Sequence, residues 1–359
     1  MKRLKFLCVL CCTLIATVSF AHDFSAESKN GQKFFFNIID AKALIVEVTY
    51  EGSITSSKDS QYEGDIIVPV KVKYKDKIYT VKKIGAKAFS NAKFLTGIEI
   101  STEIETIGEF AFEKCENLRK VVFPGTKPAF GEGVFFGCTS INNISLGSDW
   151  TSVNLKMFMW SERLTSVTIP AKITAIQNMK SLKYLQEINV DVNNTKFVSI
   201  DGVLYNKNED TLLGCPRDYV GHLKVYEGVR TIYYGALVDC PYIESVDFPE
   251  TLESMSCFEL SRMVNLSRVI MRNPYPISTA TMRGKEVFAL KVINKRKLQL
   301  VVPRLAVASY KGAICFESAD YKALAEVPSS VKNVPIRVMY DELIDPGQIV
   351  GVKSFVKYE

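Results

Sequence analysis

The strongest constraint on this chain is a self-similarity with a step of 23 residues. Residues 107–129 read IGEFAFEKCENLRKVVFPGTKPA. Residues 84–106, before them, read IGAKAFSNAKFLTGIEISTEIET. Residues 130–152 and 153–175 read FGEGVFFGCTSINNISLGSDWTS and VNLKMFMWSERLTSVTIPAKITA. Units begin at Ile84, Ile107, Phe130 and Val153, and Ile176 keeps the step. A fixed period of about 20–50 residues marks a solenoid, whose units bury their apolar faces only against one another. A chain of 359 residues would otherwise suggest roughly two or three domains. Stacked units make one continuous body instead.

Each unit carries L-x-x-L-x-L in its second half: Leu95/Ile98/Ile100, Leu118/Val121/Phe123, Ile141/Ile144/Leu146, Leu164/Val167/Ile169 and Leu185/Ile188/Val190. The last two apolar residues alternate with a polar one, which predicts a short strand with one buried face. The first half, IGxxAFxxC, spaces its apolar residues at three to four, which predicts a short helix or helical turn. That arm would stack Phe89, Phe112, Phe135 and Phe158 in a column. Pro124, Pro170 and Pro249 follow strand residues and stop them. Unit five is compressed, because Leu185 comes too soon after Ile176.

An interruption at 191–231 follows five units at 84–190. Asp201-Gly202 between two apolar runs predicts a β-hairpin, and a turn at Asn206–Asp210 adds a third strand through Leu212 and Leu213. The period resumes at Ile232 and Met255, giving two more units at 232–277 and about seven in all. The open edges of a stack need caps. Residues 22–83 read as a small antiparallel β-rich cap. Residues 278–330 read as a C-terminal cap, with a strand, a Pro break and a short helix at 298–313. Residues 331–359 form a tail without an assigned fold, in which 334–340 has strand character.

Residues 1–21 read as an export signal: a basic start at Lys2, Arg3 and Lys5, an apolar run, and Ser19-x-Ala21 as a cleavage site. The apolar run is shorter than the ~20 residues of a spanning helix. Cys8, Cys11 and Cys12 lack the small preceding residue of a lipid-attachment site and go with the signal. No later segment is apolar and long enough to span a membrane. The product is expected to be secreted, periplasmic or on the cell surface. The formal charge of +6 includes the three signal cations, so the mature chain stands near about +3, too little for a nucleic-acid face.

Cys115, Cys138 and Cys240 share one repeat position, which Ala92, Ser161 and Met263 occupy elsewhere. A slot that accepts those residues is small and buried, and suits free thiols. The redox state of Cys215, Cys257 and Cys315 stays open. The chain has two histidines, His22 and His222, which leaves little for a Ser-His-Asp or Cys-His site. Clustered zinc ligands and Gly-rich phosphate loops do not occur. The Asp and Glu residues read as solvated surface rather than a glycosidase pair. The expectation is a non-enzyme with no cofactor and no metal.

The IGxxAFxxCxxLxxVxIP unit, at Ile84, Ile107, Phe130, Val153, Ile232 and Met255, resembles the repeat of the BspA-like leucine-rich repeat proteins, secreted or surface proteins of Bacteroidetes. The resemblance extends to YKDKIYTVKKIG, SIDGVLYNKNEDTLL and VVPRLAVASYKGA. It implies an α/β leucine-rich repeat solenoid and a role in adhesion or host-protein binding, with an extracellular protein or glycan as partner. Two other readings stand beside it: a structural or assembly component of the cell envelope, and a divergent carbohydrate hydrolase. The residues between the buried strand positions, Thr96, Glu99, Arg119, Lys120, Asn142, Asn143, Thr165, Thr168, Gln186, Glu187, Glu244, Asp247 and Arg268, point outward as candidates for partner contact. Phe136, Met159 and Trp160 fall in arm slots held elsewhere by polar residues, which predicts an exposed apolar docking patch.

Overall fold

The computed structural model describes residues 22–28, 31–51, 62–125, 127–282, 285–287, 289–292, 298–310, 314–316 and 337–340. Residues 1–21, which the sequence reading takes as an export signal, and most of the tail after 330 lie outside them.

Each turn of the chain lays one strand parallel to the last. Glu63–Ile67, Phe94–Glu99, Lys120–Val122 and Asn143–Ser145 form one sheet, in which Ile66, Ile98, Val121 and Ile144 align. Ser166–Ile169 pairs in parallel with Glu187–Val190. The unit starts form a second ladder, in which Val48, Ile84, Ile107 and Phe130 align. Between the ladders the phenylalanines stack face to face. Ring centroids are 4.9 Å apart for Phe89 and Phe112, 5.2 Å for Phe112 and Phe135, and 5.2 Å for Phe135 and Phe158. Tyr62 starts the column against Phe89 at 4.5 Å. The thiols of Cys115 and Cys138 are free and buried beside it.

The arms are not helices. Beyond three short 3-10 turns, the one helix among the described residues is Val307–Tyr310. In the arms that begin at Ile84, Ile107, Phe130 and Ile232 the fourth and eighth residues take left-handed backbone: Lys87 and Asn91, Phe110 and Lys114, Gly133 and Gly137, Gly235 and Asp239. A left-handed residue every four breaks any right-handed helix. The amides bond sideways instead. Lys87, Phe89 and Asn91 donate to the carbonyls of Glu109, Ala111 and Glu113 one unit on, and Phe110, Phe112 and Lys114 repeat the pattern to Glu132, Val134 and Phe136. The apolar spacing of three to four that suggests a helix here belongs to two consecutive turns. Units stack so closely that a Cβ at Gly108 would lie 2.5 Å from the Ala86 nitrogen.

The N-terminal region is not a purely antiparallel cap. Phe24–Glu27 and Lys33–Asp40 pair antiparallel, as do Lys71–Tyr74 and Lys77–Ile84. Ile45–Thr49 and Glu63–Ile67, however, join the two repeat ladders in parallel. The interruption behaves likewise. Phe197–Ile200, Val203–Asn206 and Thr211–Gly214 form an antiparallel meander. Thr211–Gly214 then pairs in parallel with Thr231–Ile232, and Gly221–Lys224 with Ile243–Phe248, so residues 211–232 run as another turn of the solenoid. Buried Asn194 sets the hairpin's entry. Its amide donates to the Pro170 and Ile173 carbonyls, and its oxygen accepts from the amides of Lys196 and Phe197. Past Ile232, Ile243–Phe248, Arg268–Met271, Gln299–Val302 and Arg337–Tyr340 continue a parallel sheet. Val302 is followed by Pro303, a 3-10 turn and the helix.

Candidate binding surface

Leu118, Val121, Ile141 and Ile144 turn inward, and the two residues between the members of each pair lie at the approach to the strands Lys120–Val122 and Asn143–Ser145 and face solvent. Arg119, Lys120, Asn142, Asn143, Thr165, Thr168, Gln186 and Glu187 are exposed, while Thr96 and Glu99 are half-buried. The backbone holds them in rows. Arg119 N donates to Thr96 O at 2.8 Å and Asn142 N to Arg119 O at 3.0 Å. Lys120 lies opposite Asn143 in the ladder. Several members of the face are engaged within the protein. The Thr96 hydroxyl donates to Asp65 at 2.6 Å, the Gln186 amide to Asp218 at 3.3 Å, and Glu187 accepts from Asn189 at 3.1 Å. The side chains of Arg119, Lys120, Asn142 and Asn143 have no such partner among the described residues. Two cations and two amides thus stand side by side with their donors directed at solvent.

The later strand face differs. Glu244 is exposed and Arg268 half-buried, but both lie in the sheet of Ile243–Phe248 and Arg268–Met271, separate from that of Arg119. Asp247 is buried, at 4% exposure, contrary to its outward assignment. Arg272 closes over it with a bidentate pair, Nε to Oδ1 at 2.8 Å and Nη2 to Oδ2 at 2.7 Å. That geometry satisfies the carboxylate and removes it from any contact surface. On the same sheet His222 Nδ1 meets the Ser245 hydroxyl at 2.6 Å. The contact spans one repeat, which is why no local sequence signal marks it. The pair is exposed, and no carboxylate among the described residues bonds the other ring nitrogen to complete a triad.

On the arm side, the Phe136 and Trp160 rings meet edge to face at 4.8 Å, and Phe110 meets Phe136 the same way at 6.3 Å. Phe136, Met159 and Trp160 are 36%, 38% and 40% exposed. Met157 and Phe158 beside them turn inward. The group is contiguous because consecutive arms lie one ladder step apart.

The sequence profile described as the BspA type leucine rich repeat region matches six copies, over residues 75–199 and 217–297. Those spans cover more than half of the chain. The chain belongs to the BspA-type leucine-rich repeat family. No curated protein matches this BspA-type chain. Among solved structures it is similar to a leucine-rich repeat protein from Bacteroides ovatus, with 20% identity, a TM-score of 0.45, and 82% of this chain and 72% of that one covered. A leucine-rich cell surface protein from Faecalibacterium prausnitzii gives 18%, 0.37, 84% and 96%. The pneumococcal vaccine antigen PcpA gives 14%, 0.41, 84% and 100%. At such distances these likenesses assign no ligand to any residue of this chain.

The BspA-type repeat also contains two buried residues that its sequence pattern hides. Trp150 is fully buried among Phe123 and Phe130, at ring distances of 5.0 and 5.8 Å, with the Lys127 ammonium 6.0 Å from its ring. Its slot holds Ile104, Ile173 and Leu252 in other units but Lys127 in the unit before. The large ring fills the space that the lysine leaves. Glu259 is wholly buried in the slot that Ala88 and Ala111 fill elsewhere. Its carboxylate accepts from the amides of Gly235 at 2.7 Å and Leu237 at 3.1 Å. It thereby replaces backbone carbonyls of the sideways arm ladder. Burial raises its pKa above the ordinary value, against the lowering effect of those amides. Not every acidic residue of the chain is therefore solvated surface. Among the described residues no group of acidic, histidine and cysteine side chains is arranged to hold a metal ion, and no helix is long and apolar enough to cross a membrane.

Proposed function

We propose that this protein is an exported binding module that presents the strand face of its first repeats to an extracellular protein or glycan. The observation that supports this is the block of Arg119, Lys120, Asn142 and Asn143, four exposed polar residues whose side chains have no partner among the described residues, at the strands Lys120–Val122 and Asn143–Ser145. A ligand with carboxylate or other acidic groups satisfies them, and an exposed polar face of this kind suits adhesion better than turnover. The protein is read as a non-enzyme on the same grounds. Asp247 is neutralised by Arg272, Glu259 is buried, and among the described residues no carboxylate orients His222. The test is a screen of the mature protein against extracellular matrix proteins and glycans, followed by Arg119→Glu with Lys120→Glu. Loss of binding with an unchanged melting temperature is the expected result. Full binding by the double variant removes the early strand face from consideration.

The arm patch supports a second reading, docking to another envelope or surface protein through Phe136, Met159 and Trp160. Trp160→Ser is then expected to leave the melting temperature nearly unchanged and to weaken self-association or co-purification with envelope proteins. A much lower melting temperature would mean that the ring is a packing element.

A further inference from the structure

A cluster of reactive groups lies under the arms, where the inserted turn meets the unit that begins at Ile232. Lys180 projects from the 3-10 turn Met179–Ser181. Its Nζ donates to the Cys215 carbonyl at 2.9 Å and lies 3.1 Å from the Cys240 Sγ. The Cys240 thiol points at the Pro216 carbonyl, 3.5 Å away, and lies 4.0 Å from the Cys215 carbonyl oxygen. The backbone fixes the pair: Cys215 N donates to Ala236 O at 2.9 Å, so the two cysteines occupy neighbouring turns of the solenoid. Both are fully buried. We propose that Cys215 and Cys240 form a redox-active pair, which a low-molecular-weight disulfide converts into a disulfide between the two turns, with Lys180 as the positioning cation for the attacking Cys240 sulfur.

The contrast with Cys115 and Cys138 gives the selectivity. Those thiols also sit on neighbouring turns and, like Cys240, point at backbone carbonyls, those of Phe89 and Phe112 at 3.1 and 3.0 Å, but neither is bonded to a cation among the described residues. Burial pushes the Cys115 thiol well up, so it stays protonated and inert. Cys240 goes the other way. The neighbouring Cys215 thiol and the Lys180 ammonium draw it down to about 7, against burial and the charge of Asp239. Asp239 is itself paired with Arg217 at 3.1 Å, and Glu259, the remaining charged group near Lys180, is tied to backbone amides. Cys215 is pushed up by burial. One sulfur is thus available as thiolate near neutral pH and its partner holds the proton.

The Cys240 thiolate attacks one sulfur of the small disulfide, whose S–S bond breaks. A mixed disulfide forms and a small thiolate leaves, taking up the proton that Cys215 releases. The Cys215 sulfur then attacks the Cys240 sulfur and expels the second small thiolate, which is protonated by solvent. Two protein thiols are oxidised and one small disulfide is reduced to two thiols. Because both sulfurs are buried, the reaction requires local opening of the fold around them. The product ties the inserted turn to the unit that follows it.

The test uses the folded, reduced protein with oxidised glutathione, quenched by alkylation and mapped by mass spectrometry without reductant. A cross-link between Cys215 and Cys240 is expected, with Cys115, Cys138 and Cys257 recovered as alkylated thiols. Its rate is expected to rise through a midpoint near pH 7. Lys180→Met shifts that midpoint upward, Lys180→Arg keeps it low, and Cys215→Ser stops at a glutathione adduct on Cys240. Recovery of Cys215 and Cys240 as free thiols overturns the proposal, as does a cross-link elsewhere. Identical pH profiles for Lys180→Met and wild type overturn the role of the lysine.

Discussion

Phe112 shows how single residues carry a repeat fold. Its ring is buried between Phe89 and Phe135, nearly parallel to both, with interplanar angles of 3° and 12°. Neighbouring units grip it from both sides, so its loss leaves a cavity that neither can fill. Phe112→Ala is expected to lower stability by about 3–5 kcal/mol, measured by denaturant titration; an unchanged midpoint would contradict the column. Gly235 shows the complementary, conformational term. Its φ is +80°, and a Cβ there would meet nothing within 4 Å. Gly235→Ala therefore costs backbone strain alone, about 1 kcal/mol. A shift in melting temperature near zero would mean that the arm relaxes to another conformation.

The arm is the element that the sequence pattern describes least well. Its apolar spacing matches a helix, while its left-handed positions are filled by Lys87, Asn91, Phe110 and Lys114 as well as by glycines. Only Gly133, Gly137 and Gly235 mark those positions in the letters, and they sit in different units. The strands were readable because alternation has one structural meaning, and the outward turn of Lys120, Asn143 and Thr168 beside buried Val121, Ile144 and Val167 follows from it. The burial of Asp247 was not, since it depends on Arg272 from the next unit. Glu259 tests the arm ladder directly. Its pKa is raised in the folded protein, so the native state holds its proton to higher pH than the unfolded chain does. The stability linked to that proton is fully present below the ordinary glutamate range and is lost as pH rises through the raised value. The stability of wild type relative to Glu259→Gln is therefore expected to fall as pH climbs from about 4.3 towards neutrality. Parallel denaturation curves at every pH would show that the carboxylate titrates normally.

At the scale of the molecule, the 23-residue step made a single solenoid legible, but not its division into two cores. The first hydrophobic cluster runs from Phe24 to Leu204, and the second from Val203 to Tyr310. They meet on the strand Val203–Asn206, where Leu204 joins the first cluster and Val203 and Tyr205 join the second. The cause is the two-residue alternation of a strand buried on both faces. The hairpin signal at Asp201-Gly202 located this strand, yet sequence alone could not show that it forms a wall between the cores. A repeat array unfolds by units coupled through neighbours, and a wall of one strand is the place for that coupling to fail. Leu204→Ala, costing about 2–5 kcal/mol, is then expected to speed amide exchange through residues 33–190 and to spare 232–271. Tyr205→Ala is expected to do the reverse. Hydrogen exchange read by mass spectrometry on both variants separates the cases: if each substitution speeds exchange equally on the two sides, the cores unfold as one, and the strand is a bridge rather than a boundary.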